Sequence, residues 1–175
     1  MECVRMYVPT VPVPRRIHVP AHRHAPLVEA WMEISTPIDK QMKVDVRMNT
    51  EARVVELMAR ADTDVSNLQK SADFVQAFIH GFDLRDAARL LSTGNLCMLL
   101  FVIHVKPPGH LSRAMERLAD EGGETKYAIE KSTKTKIVIA GNLIHILGSY
   151  ADIMIAQKCV SSLIMGSSAA NDVRF

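Results

Sequence analysis

Hydrophobic positions recur along this chain in two rhythms. Between residues 111 and 118, Leu111, Ala114, Met115 and Leu118 fall near the 3.6-residue period of a helix with one buried face. A Gly122-Gly123 break follows, and then a second short helical run with Tyr127 and Ile129 among charges. The rhythm next changes to β-rich runs over 136–140 and 143–147, with Gly141-Asn142 between them as a hairpin turn. Upstream, residues 98–106 read as a strand; downstream, 150–165 read as a long helix. The predicted order is strand, helix, glycine loop, helix, strand, strand, helix.

The first half carries a related pattern. Pro9, Pro12 and Pro14 remove donors and fix φ, so residues 1–15 are expected to be an extended arm. Residues 16–20 read as a short strand. Leu27, Ala30, Trp31 and Ile34 set a helical repeat within 26–42, which Thr36-Pro37 is expected to break, Thr36 capping a second helix that begins at Pro37. Trp31, the single tryptophan, is expected to anchor a core. Runs 43–49 and 53–59 predict a hairpin around Asn49-Thr50-Glu51. Residues 64–81 predict a helix capped by Asp64, with Leu68, Ala72, Val75, Phe78 and Ile79 as its apolar stripe and Gly81 as its stop. A short helix over 83–91 links the halves.

Hairpin, helix and terminal glycine thus occur twice, with Val75, Ile79 and Gly81 answered by Val160, Ile164 and Gly166. A repeated supersecondary unit points to duplicated domains. The expected fold is α+β, with two packed KH-like domains. Each is a three-stranded antiparallel sheet with helices on one face, in the order β-α-α-β-β-α. The expected boundaries are 1–15 for the arm, 16–95 for a first KH-like domain plus linker helix, and 96–175 for a second, type I KH domain. KH domains read single-stranded nucleic acid through a glycine loop that clamps the backbone of about four nucleotides. Two helix ends meet there, and their free N–H groups face the same space. The first half has Ser35-Thr36-Pro37 in place of the loop and is expected to be structural or protein-binding.

Composition narrows the choice of function. Hydrophobic residues make up 48% of 175 and charged residues 23%, which fits a globular chain. Net charge is only +2, so nucleic-acid affinity has to come from a local basic face. Around the glycine loop that face would hold Arg113, Arg117, Lys126, Lys131, Lys134 and Lys136. Aromatic residues are 5%, too few for base stacking to be the main mode of binding. Cys3, Cys97 and Cys159 are odd in number and lack close spacing, which suits a reducing compartment; Cys97 and Cys159 read as core. The opening residues contain no apolar run of the kind a secretory signal needs, and 96–105 is too short to span a bilayer, so no membrane role is expected. No phosphate-binding Gly-Lys loop, zinc-protease motif or nucleophile–base pairing is present, so an enzyme is not expected and no catalytic residue or cofactor is assigned. His18, His22 and His24 lack acidic or thiol partners, so no metal site is expected; His22, Arg23 and His24 instead suit polar or phosphate contacts at a helix entrance.

Three segments carry a resemblance to a known family: RIHVPAHRHAPLVEAWMEISTPI, DVSNLQKSADFVQAFIHGFDLRDAARLL and HLSRAMERLADEGGETKYAIEKSTKTKIVIAGNLIHILGS, with the terminal Arg174-Phe175. They resemble the partner-of-Nob family, KH-domain assembly factors of the small ribosomal subunit. The resemblance implies binding near the 3′ end of the small-subunit pre-rRNA and contact with the endonuclease that cuts there. It also implies company with other pre-ribosomal factors and passage from nucleolus and nucleus to cytoplasm. By position it implies an RNA-facing set of Ser112, Arg113, Arg117, Gly122, Gly123, Thr125 and Lys126, to which the basic residues Lys131, Lys134, Lys136 and Arg23 are added. Where the family shows G-K-G-G-K, this chain has Asp120-Glu121-Gly122-Gly123-Glu124. A carboxylate about 8 Å from a phosphate in water repels it by roughly 0.5 kcal/mol, so these acids offset part of the lysines' attraction. The stretch after Gly166 is shorter than usual and the family's charged N-terminal extension has no counterpart, which fits a shortened member. The second expectation is a KH-like protein adaptor of pre-ribosomes with little RNA affinity of its own.

Overall fold

A computed structural model describes residues 14–92, 94–102, 116, 118, 123–141 and 143–164. Contacts divide the chain into two compact units, Met1–Ala72 and Asp73–Phe175, so the division falls inside one helix.

The first unit contains β1 (Arg15–His18), α1 (Ala21–Glu29), α2 (Trp31–Met42), β2 (Val44–Asn49) and β3 (Val54–Ala59), and ends within α3 (Val65–His80). Its sheet is antiparallel in the order β1-β3-β2, with Ile17 opposite Val55 and Val46 opposite Leu57. The pleat sends Val44, Val55 and Leu57 inward, while Asp45, Arg47 and Arg16 lie exposed on the other face. Ile34, Ile38 and Met42, four apart on α2, are buried with Leu27 of α1. The hairpin turn is held by Asn49, whose Oδ1 accepts the Ala52 N–H at 2.9 Å. Asp64 caps α3 as expected, accepting the Ser66 N–H at 3.2 Å.

Two expectations fail here. The helix break lies at Ala30 rather than at Thr36-Pro37, both of which sit inside α2. The Thr36 hydroxyl donates to the Met32 carbonyl at 2.6 Å, one turn back, and so caps nothing. Pro37 is carried within α2 and Pro26 within α1, despite the amide each removes from the ladder. Trp31 is not a core anchor: it is half-buried and lines a surface groove of about 460 Å³ with Met32, Thr36, Asp39 and Arg47.

The second unit takes the C-terminal part of α3, then α4 (Leu84–Ser92), β4 (Leu96–Val102), α5 (Glu124–Thr133), β5 (Lys136–Ala140), β6 (Leu143–Ser149) and α6 (Tyr150–Ile164). Of the run expected as a helix over 111–118, Glu116 and Leu118 are described; both are helical, Glu116 exposed and Leu118 fully buried. The sheet order β4-β6-β5 repeats that of the first unit, with the last strand in the middle. Ala140 pairs with Leu143, leaving the two-residue turn that the Gly-Asn pair predicts. One core joins Leu118, Ile129, Ile137, Ile144 and Ile146 to Ile153, Ala156, Cys159, Val160 and Leu163 of α6. Cys159 lies in that core as expected, whereas Cys97 is half-buried against it. Ser149 starts α6, its Oγ accepting the Asp152 N–H at 3.3 Å.

β6 is buried on both faces, from Ile144 through Gly148. The end of α3 covers the face away from the core: the Phe82 N–H reaches the Ala77 carbonyl at 3.1 Å in a Schellman-type stop, and Gly81 takes φ +106°. A Cβ at Gly81 would stand 3.4 Å from Val138 of β5. Two-sided burial explains why 143–148 is nearly continuously apolar, apart from one histidine. Among the described residues no helix is long and apolar enough to cross a membrane, and no three His, Cys, Asp or Glu side chains gather as a metal ion would require.

Candidate nucleic-acid interface

Helix α5 carries most of the described site candidates. Gly123 precedes its first turn in the left-handed conformation, φ +67° and ψ 20°, and its carbonyl accepts the Tyr127 N–H at 2.9 Å. A Cβ there would meet nothing within 4 Å, so glycine answers a backbone demand at this position rather than a shortage of space. Gly123 at the N-cap offers no side-chain cap to α5, and Glu124 stands exposed in the first turn. Thr125 follows on the same turn. Ser112, Arg113, Arg117 and Gly122 lie outside the described residues, as do Asp120 and Glu121.

The buried side of α5 shows Ile129 and Thr133 to the core. Next to them, Glu130 holds the strand that follows. Its Oε1 accepts the Ile137 N–H at 2.7 Å. The same carboxylate lies 4.0 Å from Lys126 Nζ and 3.9 Å from Lys136 Nζ, and Lys136 Nζ also lies 3.9 Å from Asp86. Two of the predicted RNA-facing lysines are therefore engaged by acids. Lys131 and Lys134 are exposed and form no ion pair among the described residues. Lys134 ends the helix in the left-handed conformation, φ 55°.

The outer stripe of α5 (Tyr127, Lys131 and Lys134) borders a groove of about 370 Å³, completed by Arg89, Glu130, Thr135 and Lys136. Lys131, Lys134 and Lys136 are thus brought together, while Gly123 and Thr125 occupy the other end of the helix. Arg23 belongs to the first unit, on the first turn of α1, together with exposed His22 and half-buried His24. Sequence reasoning missed Tyr127 and Arg89 as site residues. Spacing of four and seven from Tyr127 to Lys131 and Lys134 could have identified the tyrosine. Arg89 comes from α4 and is brought in by tertiary structure alone.

Residues 100–175 match a family model described as a eukaryotic-type KH domain, KH-domain type I, the second of PNO1. The chain is 48% identical over 157 residues to the RNA-binding protein pno1 of Drosophila pseudoobscura pseudoobscura, covering 87% of this chain and 66% of that one. It is 46% identical over 160 residues to the pre-rRNA-processing protein pno1 of Schizosaccharomyces pombe, covering 89% and 66%. The chain belongs to the partner-of-Nob (PNO1) family. It spans 57 to 67% of the length of its curated PNO1 relatives. The fold is shared with a chain from a Pyrococcus horikoshii complex of a/eIF2alpha, aDim2p and rRNA. The TM-score is 0.79 at 22% identity, over 94% of this PNO1-family chain and 92% of that one.

Proposed function

We propose that this chain is a non-enzymatic rRNA-binding assembly factor of the small ribosomal subunit. It binds near the 3′ end of the small-subunit pre-rRNA, positions the endonuclease for the final cleavage and works among other pre-ribosomal factors. It travels with the particle from nucleolus and nucleus to cytoplasm. The observation that carries this reading is the basic side of α5 in a chain whose relatives are named for RNA binding and pre-rRNA processing. The RNA-facing residues are Gly123, Thr125, Lys126, Lys131, Lys134 and Lys136, with Ser112, Arg113, Arg117 and Gly122 before them and Arg23 on α1.

The adaptor reading keeps one observation in its favour: Glu130 engages Lys126 and Lys136, and Glu124 stands at the helix entrance. Binding to a single-stranded RNA from the small-subunit 3′ end, across a salt series, separates the two. An RNA-binding face gives log K falling with log salt by about 0.7 for each phosphate neutralised. Lys126→Glu is expected to weaken binding and Asp120→Gly to strengthen it. Absence of binding in every variant would leave the adaptor reading.

A further inference from the structure

The groove along the outer side of α5 has a composition that no structural role accounts for. Tyr127 is 61% exposed, although it sits four residues after Gly123 in a unit with a well-filled core. Arg89 of α4 and Lys131 and Lys134 of α5 border the same space and form no ion pair among the described residues. Lysines in the last turn of a helix complement its dipole, and this explains part of their placing. It explains neither the arginine contributed by a separate helix nor the exposed ring in the same groove. The groove's one carboxylate among the described residues, Glu130, is already committed to the Ile137 amide.

We infer that this groove is a second RNA subsite, in which Tyr127 stacks one unpaired base while Arg89, Lys131 and Lys134 hold the phosphates on either side. The inference rests on the RNA-binding reading and extends it along α5, from Tyr127 in the first turn to Lys134 at the C-terminal cap. An exposed ring with two helical neighbours gives a π-face without a closed pocket, so the subsite accepts any base. Its cations line the same groove as the ring, where the phosphates of a strand passing a stacked base would run. A single-stranded segment is the class of ligand that fits, because a paired base does not offer its face.

The test uses the full chain, a short labelled single-stranded RNA and fluorescence anisotropy. Tyr127→Ala is expected to weaken binding about tenfold, while Tyr127→Phe retains it. The pair Lys131→Ala and Lys134→Ala is expected to flatten the salt slope by about 1.4. Ultraviolet crosslinking followed by mass spectrometry is expected to place an RNA adduct on Tyr127. If the wild type binds RNA but Tyr127→Ala binds as well as it does, the subsite is overturned and the RNA reading stands. If the lysine pair changes melting temperature but neither affinity nor slope, the lysines serve the helix alone and the subsite is likewise overturned. If the wild type binds no single-stranded RNA, both readings fall together.

Discussion

The imidazole of His145 lies stacked on that of His80, ring centroids 4.1 Å apart and planes 23° from parallel. His145 is the third residue of β6 and only 2% exposed; its Nδ1 is buried without a hydrogen-bond partner among the described residues. Leu100 and Val138 are its cross-strand neighbours on either side. Burial first, and the neighbouring His80 second, lower the His145 pKa from 6.5 to about 4; burial also lowers that of His80. Both rings belong in the neutral form.

A pH dependence follows. An unfolded histidine takes up its proton near pH 6.5, whereas folded His145 resists until about pH 4. The contribution of neutral His145 is therefore complete above the unfolded pKa and is lost as pH falls through that window. The loss reaches roughly 3 kcal/mol at its acid end. Melting followed by circular dichroism from neutral to acid pH should show this slope, and His145→Leu should remove it. Carboxylates titrate over the same range in both proteins, so the quantity read is the difference between them. A difference that stays constant with pH would contradict the assignment.

Gly148 offers a packing test. A Cβ there would come within 2.8 Å of Thr135 Cγ2, in the wall between β6 and the start of β5. Thr135 is 2% exposed and its hydroxyl lies 2.8 Å from that of Thr133, whose own proton goes to the Ile129 carbonyl. The threonine therefore has little room to move. Gly148→Ala is expected to destabilise by about 1–3 kcal/mol. Thr135→Ser, which removes the obstructing methyl, should recover part of that loss in a double-mutant cycle by denaturant unfolding. Additive costs would show that the two side chains do not meet.

How far the chain could be read in advance depends on whether a feature is local. The hairpin 136–147, the Asp64 cap and the Gly81 stop are written in neighbouring residues, and the structure carries all three. The doubled unit was legible because the same element sequence occurs twice. The Ala30 break was not, because Thr36-Pro37 is the stronger local signal and the buried stripe Ile34, Ile38 and Met42 overrides it. The site was legible only in part. Lysines near a glycine pair can be counted, but Glu130's hold on Lys126 and Lys136 depends on where β5 begins. Trp31 shows the same limit: its spacing is that of a core residue, yet the turn at Ala30 leaves it beside a groove.

Glu130 joins two demands that substitution can separate, and so yields the last prediction. Its carboxylate accepts the amide of Ile137, a residue 1% exposed, and also lies within 4.0 Å of Lys126 and 3.9 Å of Lys136. Glu130→Gln keeps an oxygen for the amide and removes the charge. Stability should change by less than about 1 kcal/mol, since the ion pairs are long and their lysines partly exposed. RNA affinity should rise, because Lys126 then presents uncompensated charge to phosphate and Lys136 keeps Asp86 alone, at 3.9 Å. Glu130→Ala removes the acceptor as well and strands a buried N–H, which costs about 1–3 kcal/mol. Melting and RNA binding measured on both variants separate the roles. If Glu130→Gln and Glu130→Ala bind RNA equally well while only the alanine variant melts early, the amide clip is structural and the charge is what restrains binding. If neither changes affinity, Lys126 and Lys136 do not face the RNA, and the contacts have to be sought at Lys131 and Lys134 instead.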